Sequence, residues 1–353
     1  MATVLNRTTK QVIYSANTPD YPVASWIINP DLSQVQGYPT IYWTITGDVV
    51  TLQTPSQMNA TDDLILQQQA AATVGEQELF GDGNDGAMTI STDTTLTQDL
   101  YPTLLTINAG INLNTAGFRI IAQQGIFNYG VIRNNGADAV GSTAGAGGTA
   151  GSLGGGGAGG AGTNAAGTSA TSLDVDATPG YGGRGGDGGA GNAGAGGQGA
   201  AVRSNPNARV RPRRFETLSL MGDIDNFVSG GLVRFQGGAG GGGGGGNGGA
   251  NVGGGGGGGG GIIVLIAPTI FNDAAASIQA HGGKGGDATG NKAGGGGGGG
   301  GGVIGTISVT FRDRGSRDVS AGAGGANTGT GIAGSAGNSG RQFNLKVTGG
   351  SSE

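Results

Sequence analysis

The sequence predicts a mainly β protein: a small N-terminal β module, a linker helix, and a β-solenoid or β-sandwich carrying glycine-rich rods of polyproline-II type. Three observations predict it. Two uninterrupted runs of nine glycines, Gly253–Gly261 and Gly294–Gly302, each lead into an apolar strand-like segment, Ile262–Ile266 and Val303–Val309. A feature repeated in this way is architectural. Short period-two segments separated by Gly and Asn recur about every ten residues between 79 and 142, the spacing of a sandwich or solenoid. An internal repeat, Ile126-Phe127-Asn128 and Ile270-Phe271-Asn272, is preceded each time by a β-branched run and followed by a glycine-rich excursion.

The elements read in order as follows. Val12–Tyr14, Trp26–Ile28, Ile41–Ile45 and Val49–Leu52 are strands, the last two joined across Thr46-Gly47-Asp48. Residues 1–57 form this module, which is too short to bury much surface alone. Residues 58–78 read as a linker helix, opening at Asn59-Ala60-Thr61-Asp62-Asp63 with acids in its first turn and stopped by Gly75. Residues 79–142 supply short strands at Thr89–Ser91, Leu104–Ile107, Ile111–Asn114, Phe118–Ala122 and Val131–Asn134. Asparagines at 108, 112, 114, 128, 134 and 135 favour stacked turns, where identical residues sit above and below one another.

Residues 143–353 are the glycine-rich repeat domain. Glycine makes up 85 of 353 residues, yet the nine-residue runs break the collagen triplet and prolines number only ten. Gly182-Gly183-Arg184-Gly185-Gly186-Asp187 and Gly282-Gly283-Lys284-Gly285-Gly286-Asp287 are strict G-G-X triplets. Polyproline II has three residues per turn, so each X lies on one edge, and nine residues span about 28 Å. Glycine loses the most entropy on ordering, so only a lattice satisfying nearly every backbone group offsets the loss.

Composition excludes several classes. The net charge of −5 gives no general attraction to nucleic acid. The absence of cysteine removes disulfides and thiolate metal sites. The N-terminus lacks a basic region followed by an apolar stretch, so no signal peptide is expected. One histidine, no cysteine and no nucleophile–base spacing argue against catalysis, and no cofactor is expected. No GK[ST] follows the glycine runs, which excludes a P-loop.

Asn17-Thr18-Pro19-Asp20-Tyr21-Pro22-Val23-Ala24, Trp26–Leu32 and Tyr42-Trp43 with Gly47-Asp48 resemble a short N-terminal module of tailed-bacteriophage virion proteins. Phe80-Gly81-Asp82-Gly83-Asn84-Asp85-Gly86, with the following segments through Ile120, resembles the strand region opening glycine-rich phage and bacterial surface proteins. The glycine tracts resemble those of tail-fibre-tip adhesins built from packed polyglycine-II helices. The resemblance implies a non-enzymatic virion structural protein, made in the host cytoplasm and displayed on the particle exterior. Its partners are other virion proteins. Oligomerisation, taken as a homotrimer, protects strand edges.

Candidate residues follow. Trp26, Tyr42 and Trp43 are large residues in an aromatic-poor chain and are the expected particle-attachment set. Tyr181, Arg184 and Asp187, and His281, Lys284 and Asp287, share triplet spacing. Each set is either a solvated edge of neighbouring charges or an edge contacting a host glycan or outer-membrane protein. Asp82, Asn84 and Asp85 read as a turn, with a calcium loop as the competing reading; no metal site is assigned. Arg203, Arg209, Arg211, Arg213 and Arg214 form a basic cluster suited to phosphate contact or inter-subunit ion pairs. Two functions compete: a fibre or tip adhesin, and a capsid decoration or head-fibre protein stabilising the shell. A bacterial surface protein is disfavoured by the missing signal peptide.

Overall fold

A computed structural model describes residues 2–72, 80–163, 167, 180–181, 189–191, 194–200, 235–248 and 251–347. The protein is mainly β, with several sheets, none closed into a barrel, and one α-helix among the described residues. The chain divides into two compact units, Met1–Ala72 and Thr73–Glu353.

In the first unit, β1 (Ala2–Asn6), β2 (Val12–Ala16) and β3 (Trp26–Ile28) form an antiparallel sheet in the order β2-β1-β3. β1 lies outside the strands read from sequence. β4 (Trp43–Thr46) and β5 (Val49–Leu52) form the expected hairpin, with Thr46 opposite Val49 and Gly47 at φ +60° in the two-residue turn. Leu5, Ile27, Val35, Trp43 and Val50 are its core.

Helix α1 runs Pro55–Ala72, starting earlier than the sequence reading placed it. Thr54 is the reason. The Gln57 N–H donates to Thr54 Oγ1 at 3.3 Å and the Thr54 N–H donates to Gln57 Oε1 at 2.9 Å. This is a capping box with Pro at the first helical position. Asp62 and Asp63 therefore sit inside the helix, not in its first turn; Gly75 lies outside the described residues.

The second unit contains β6 (Ala87–Ile90), β7 (Thr94–Thr95), β8 (Leu104–Ile107), β9 (Asn112–Asn114), β10 (Ile120–Ile121), β11 (Gly125–Asn128) and β12 (Val131–Arg133). Then come β13 (Gly180–Tyr181), β14 (Phe235–Gln236), β15 (Ile262–Ile266), β16 (Thr269–Asn272), β17 (Ser277–Gln279), β18 (Val303–Ser308), β19 (Thr310–Asp313), β20 (Ser316–Asp318) and β21 (Arg341–Lys346). β13 pairs with β14 in parallel. The rest form three parallel sheets: β6-β8-β11-β16-β19, β7-β9-β12-β17-β20, and β10-β15-β18-β21. From β8 onward, β13 and β14 aside, the chain visits the three sheets in rotation, one strand in each per turn; β6 and β7 precede this with one strand in each of the first two sheets. Segments 134–261, 280–302 and 319–340 all leave after the second sheet and return at the third.

The internal repeat sets the register. Ile126, Phe127 and Asn128 lie opposite Ile270, Phe271 and Asn272. Inward side chains stack into columns such as Leu105-Ile126-Ile270 and Leu113-Ile132-Ile278, all essentially buried. β15 is buried on both faces, which is why Ile262–Ile266 is a continuous apolar run. Of the asparagines read as ladder residues, Asn128 alone bonds an asparagine of the adjoining strand: its Nδ2 donates to Asn272 Oδ1 at 2.9 Å. Asn112 bonds Asp93 instead, Asn134 bonds the carbonyls of Thr149 and Ile262, and Asn135 bonds Gln279.

A buried ion pair ties the stack together. Arg119 Nη2 lies 2.6 Å from Asp99 Oδ2, with side chains 10% and 12% exposed. The Arg119 N–H and the Ser152 hydroxyl also donate to Asp99. Removing one member leaves a buried charge unpaired. Asp99→Ala is therefore expected to lower stability by about 3–5 kcal/mol, read as a fall in thermal midpoint with the far-ultraviolet spectrum retained.

Candidate functional site

The glycine-rich segments are built from backbone hydrogen bonds with a period of three. In the run 253–261 every N–H donates, at 2.7–3.0 Å. Gly254, Gly257 and Gly260 donate to Gly294, Gly297 and Gly300; Gly255, Gly258 and Gly261 to Gly141, Ala137 and Asn134; Gly253, Gly256 and Gly259 to Thr163, Gly160 and Gly157. Its carbonyls accept from three further segments, through Gly244, Gly241 and Gly238, through Gly145 and Gly148, and through Gly286 and Gly283. The run is thus surrounded by six neighbours. Each N–H of the run 294–302 donates as well, in the same threefold rotation.

This packing leaves no room for a side chain. A Cβ on any residue from Gly253 to Gly260 would come within 3.0 Å of a neighbouring carbonyl oxygen. The number of glycines per triplet follows the number of occupied faces. The two nine-residue runs have neighbours on all three faces and are glycine throughout. Segment 281–286 keeps two glycines in three, and His281, Lys284 and the following Asp287 lie on the open edge. Segment 331–340 keeps one in three, Gly331, Gly334, Gly337 and Gly340, each directed at a neighbouring carbonyl. The outward positions there hold Ile332, Ala333, Ser335, Ala336, Asn338 and Ser339.

The candidate edge residues are placed as follows. Lys284 Nζ lies 3.3 Å from Asp287 Oδ1, with side chains 51% and 56% exposed. The Ala326 N–H donates to Asp287 at 2.8 Å, and the Lys284 N–H donates to Asp138 Oδ1 at 2.6 Å. The His281 N–H donates to Asn135 Oδ1 at 3.1 Å. This edge therefore pins adjacent segments as well as facing solvent. The Ala326 bond holds the Asp287 carboxyl below its usual range, with smaller help from Lys284 against a desolvation that raises it. Tyr181 falls in β13; Arg184, Asp187 and the cluster Arg203–Arg214 lie outside the described residues.

In the first unit, Trp43 is 8% exposed and its indole N–H donates to the Tyr38 carbonyl at 3.0 Å. It is a core residue. Tyr42 donates to Asp62 of α1 at 2.6 Å, and Trp26 packs edge-on against Tyr21 at 4.8 Å. Both remain partly exposed, beside the exposed Tyr14, Val23, Tyr38, Ile41 and Val49. In the second unit, Asp82 accepts from the Asn84 N–H and Asp85 accepts from the Tyr101 N–H, with Gly81, Gly83 and Gly86 at positive φ. These carboxylates hold a turn. Among the described residues no cluster of three His, Cys, Asp or Glu is placed to hold a metal.

One feature escaped the sequence reading. The turns at the far end of the glycine segments meet. Val252 and Thr289 exchange N–H···O bonds at 3.1 and 3.0 Å; the Asn291 N–H donates to Asn251 Oδ1; and the Ala293 N–H donates to Thr328 Oγ1 at 3.0 Å. Gly248, Gly290 and Gly329 have positive φ there, and so does Lys292 at +61°, a strained value for a side-chain-bearing residue. The available signal was the shared Asn/Thr/Gly composition of Asn247–Val252, Thr289–Lys292 and Asn327–Thr330, which marks turns between glycine runs.

No protein-family model, curated protein or solved structure matches this chain.

Two outcomes follow. Gly257→Ala is expected to lower stability by about 1–3 kcal/mol, and Gly257→Val by more, whereas Ser335→Ala at an outward position leaves the thermal midpoint unchanged. The Asp287 carboxyl, followed by NMR, is expected to titrate below its ordinary value. Its small contribution to stability is complete above the ordinary carboxylate pKa and is lost as pH falls through the lowered one.

Proposed function

We propose that this protein is a structural component of a tailed-phage particle, a fibre or tip adhesin displayed on the exterior. In this reading the second unit is a β-solenoid whose excursions pack as polyproline-II rods, and the assembly is a homotrimer without enzymatic activity. The observation that carries it is the glycine lattice itself. Its interior holds glycine and a few buried alanines such as Ala239, with no functional side chains, so its chemistry is confined to edges and turns, and the turns gather amide and hydroxyl groups on a rigid support. Loops held by a rigid scaffold are where recognition concentrates. Asn251, Thr289, Asn291, Lys292 and Thr328 are the proposed contacts with a host surface glycan or outer-membrane protein.

The first unit is the proposed particle anchor. Exposed apolar side chains among the described residues concentrate there, at Tyr14, Val23, Tyr38, Ile41 and Val49. Trp26 and Tyr42 are partly exposed, Tyr42 with its hydroxyl on Asp62; Trp43 serves the unit's own core. No described helix is long and apolar enough to cross a membrane.

A capsid decoration or head-fibre protein is the second reading. The internal use of Asp287 and Asp138 as rod-to-rod acceptors favours it, since that edge serves stability first.

Removing residues 1–72 is expected to abolish incorporation into particles while the remainder folds. Replacing Thr289, Asn291 and Lys292 with Ala is expected to leave assembly intact and to reduce adsorption to host cells. Full adsorption by correctly assembled variant particles would transfer the assignment to the decoration reading.

A further inference from the structure

The last turn of the stack is built unlike the turn beneath it. In β16, β17 and β18 the core-facing positions include Ile270, Asn272, Ile278, Ile304, Thr306 and Ser308. Their register partners in β19, β20 and β21 are Phe311, Asp313, Arg317, Gln342, Asn344 and Lys346. Register partners in a parallel sheet point the same way. One aromatic ring is thus bordered by five polar or charged side chains. The Arg317 guanidinium lies 5.1 Å from the Phe311 ring centroid and 2.8 Å from Asp313, and Gln342 donates to the Arg317 carbonyl at 2.8 Å.

Beside this ring is an opening of about 200 Å³, lined by Ser308, Val309, Thr310, Phe311, Asn344 and Lys346. Ser308 is 1% exposed, and its hydroxyl has no hydrogen-bond partner among the described residues. A buried hydroxyl left unpaired is costly, and such exceptions call for a specific explanation. Lys346 and Asn344 stand exposed at the rim, and no described acid pairs with Lys346. The segments 310–318 and 341–346 carry Arg312, Arg314, Arg317, Arg341 and Lys346 against Asp313 and Asp318, a local positive balance in a chain of net charge −5.

We infer that this opening binds one acidic sugar ring of a surface polysaccharide. Lys346 pairs the carboxylate, Asn344 and the Ser308 hydroxyl bond ring hydroxyls, and Phe311 offers an apolar surface to the C–H face. The volume is below the roughly 300–1,000 Å³ of clefts that take drug-sized ligands, which limits the occupant to a single small ring. The inference rests on the host-contact reading and gives it a second contact, separate from the lattice turns.

The test is a titration of the labelled full chain with galacturonate, N-acetylneuraminate, galactose and acetate, following the amide signals of Ser308, Asn344 and Lys346 by NMR. The sugar acids are expected to give saturable shifts, with affinity at least about tenfold above that of galactose or acetate. The double variant Lys346→Ala/Asn344→Ala is expected to lose the response at an unchanged thermal midpoint, because both side chains lie at an exposed edge. Equal responses to acetate and the sugar acids, no saturation, or an unaltered response in the double variant would each overturn the site and leave the last turn as an end cap. Adsorption separates the two readings. Saturable binding with normal adsorption of double-variant particles keeps the site and removes the host-contact reading. No sugar-acid binding, with adsorption lost on changing Thr289, Asn291 and Lys292, removes the site and keeps that reading.

Discussion

Much of the second unit depends on one constraint: each N–H of the two nine-glycine runs donates to a neighbouring segment, and a Cβ on any residue from Gly253 to Gly260 would collide with a carbonyl oxygen. Fixing a backbone residue costs about 1–2 kcal/mol, and glycine costs more than other residues. A net hydrogen bond returns about 0.5–1.5 kcal/mol. These figures nearly cancel, so an isolated glycine segment does not hold. The segments persist because their ends are fixed. The two nine-glycine runs lead directly into β15 and β18, both buried throughout, and the apolar columns of those strands supply the burial that glycine lacks.

The same constraint decides where chemistry can reside. An interior of bare backbone has no functional groups to offer, so side chains are confined to open edges, to far-end turns and to the last turn of strands. These places differ in kind. The edge carrying His281, Lys284 and Asp287 is already engaged in bonds between segments. The far-end turns hold Lys292 at a strained φ. The last strand turn exchanges an apolar inward set for a polar one, the device that blunts an exposed sheet edge.

Much of the fold was legible in the sequence because its signals are local or periodic. The I-F-N repeat announced which strands lie side by side, and β-branched runs after glycine marked the returns to the third sheet. What stayed hidden depended on distant partners. Thr54 and Gln57 formed a capping box, but the acids at 62–63 imitated a helix start. Asn112 and Asn134 read like ladder residues, yet their partners are Asp93 and the carbonyls of Thr149 and Ile262, the last far away in sequence. Trp43 read as an attachment residue because size alone does not distinguish a core from an interface. The meeting of Asn251, Asn291 and Thr328 required three separate excursions to end at the same height, which no single stretch of sequence encodes.

The threefold bonding pattern also limits how such a lattice can change. A residue of the nine-glycine runs bonds the same neighbour every third position, so inserting one residue shifts all later N–H groups to the next face. In the run 253–261 that would aim the donors meant for Gly294, Gly297 and Gly300 at other segments and break bonds on every face at once. Inserting a whole triplet keeps each face matched and lengthens the segment by one repeat. Segments with three faces engaged must add glycine alone, whereas 331–340 can add one glycine and two residues of almost any kind. Sequence variation is therefore cheapest at the outer segments and at the turns, the surfaces that face outward, while the nine-glycine runs are held to glycine by their neighbours.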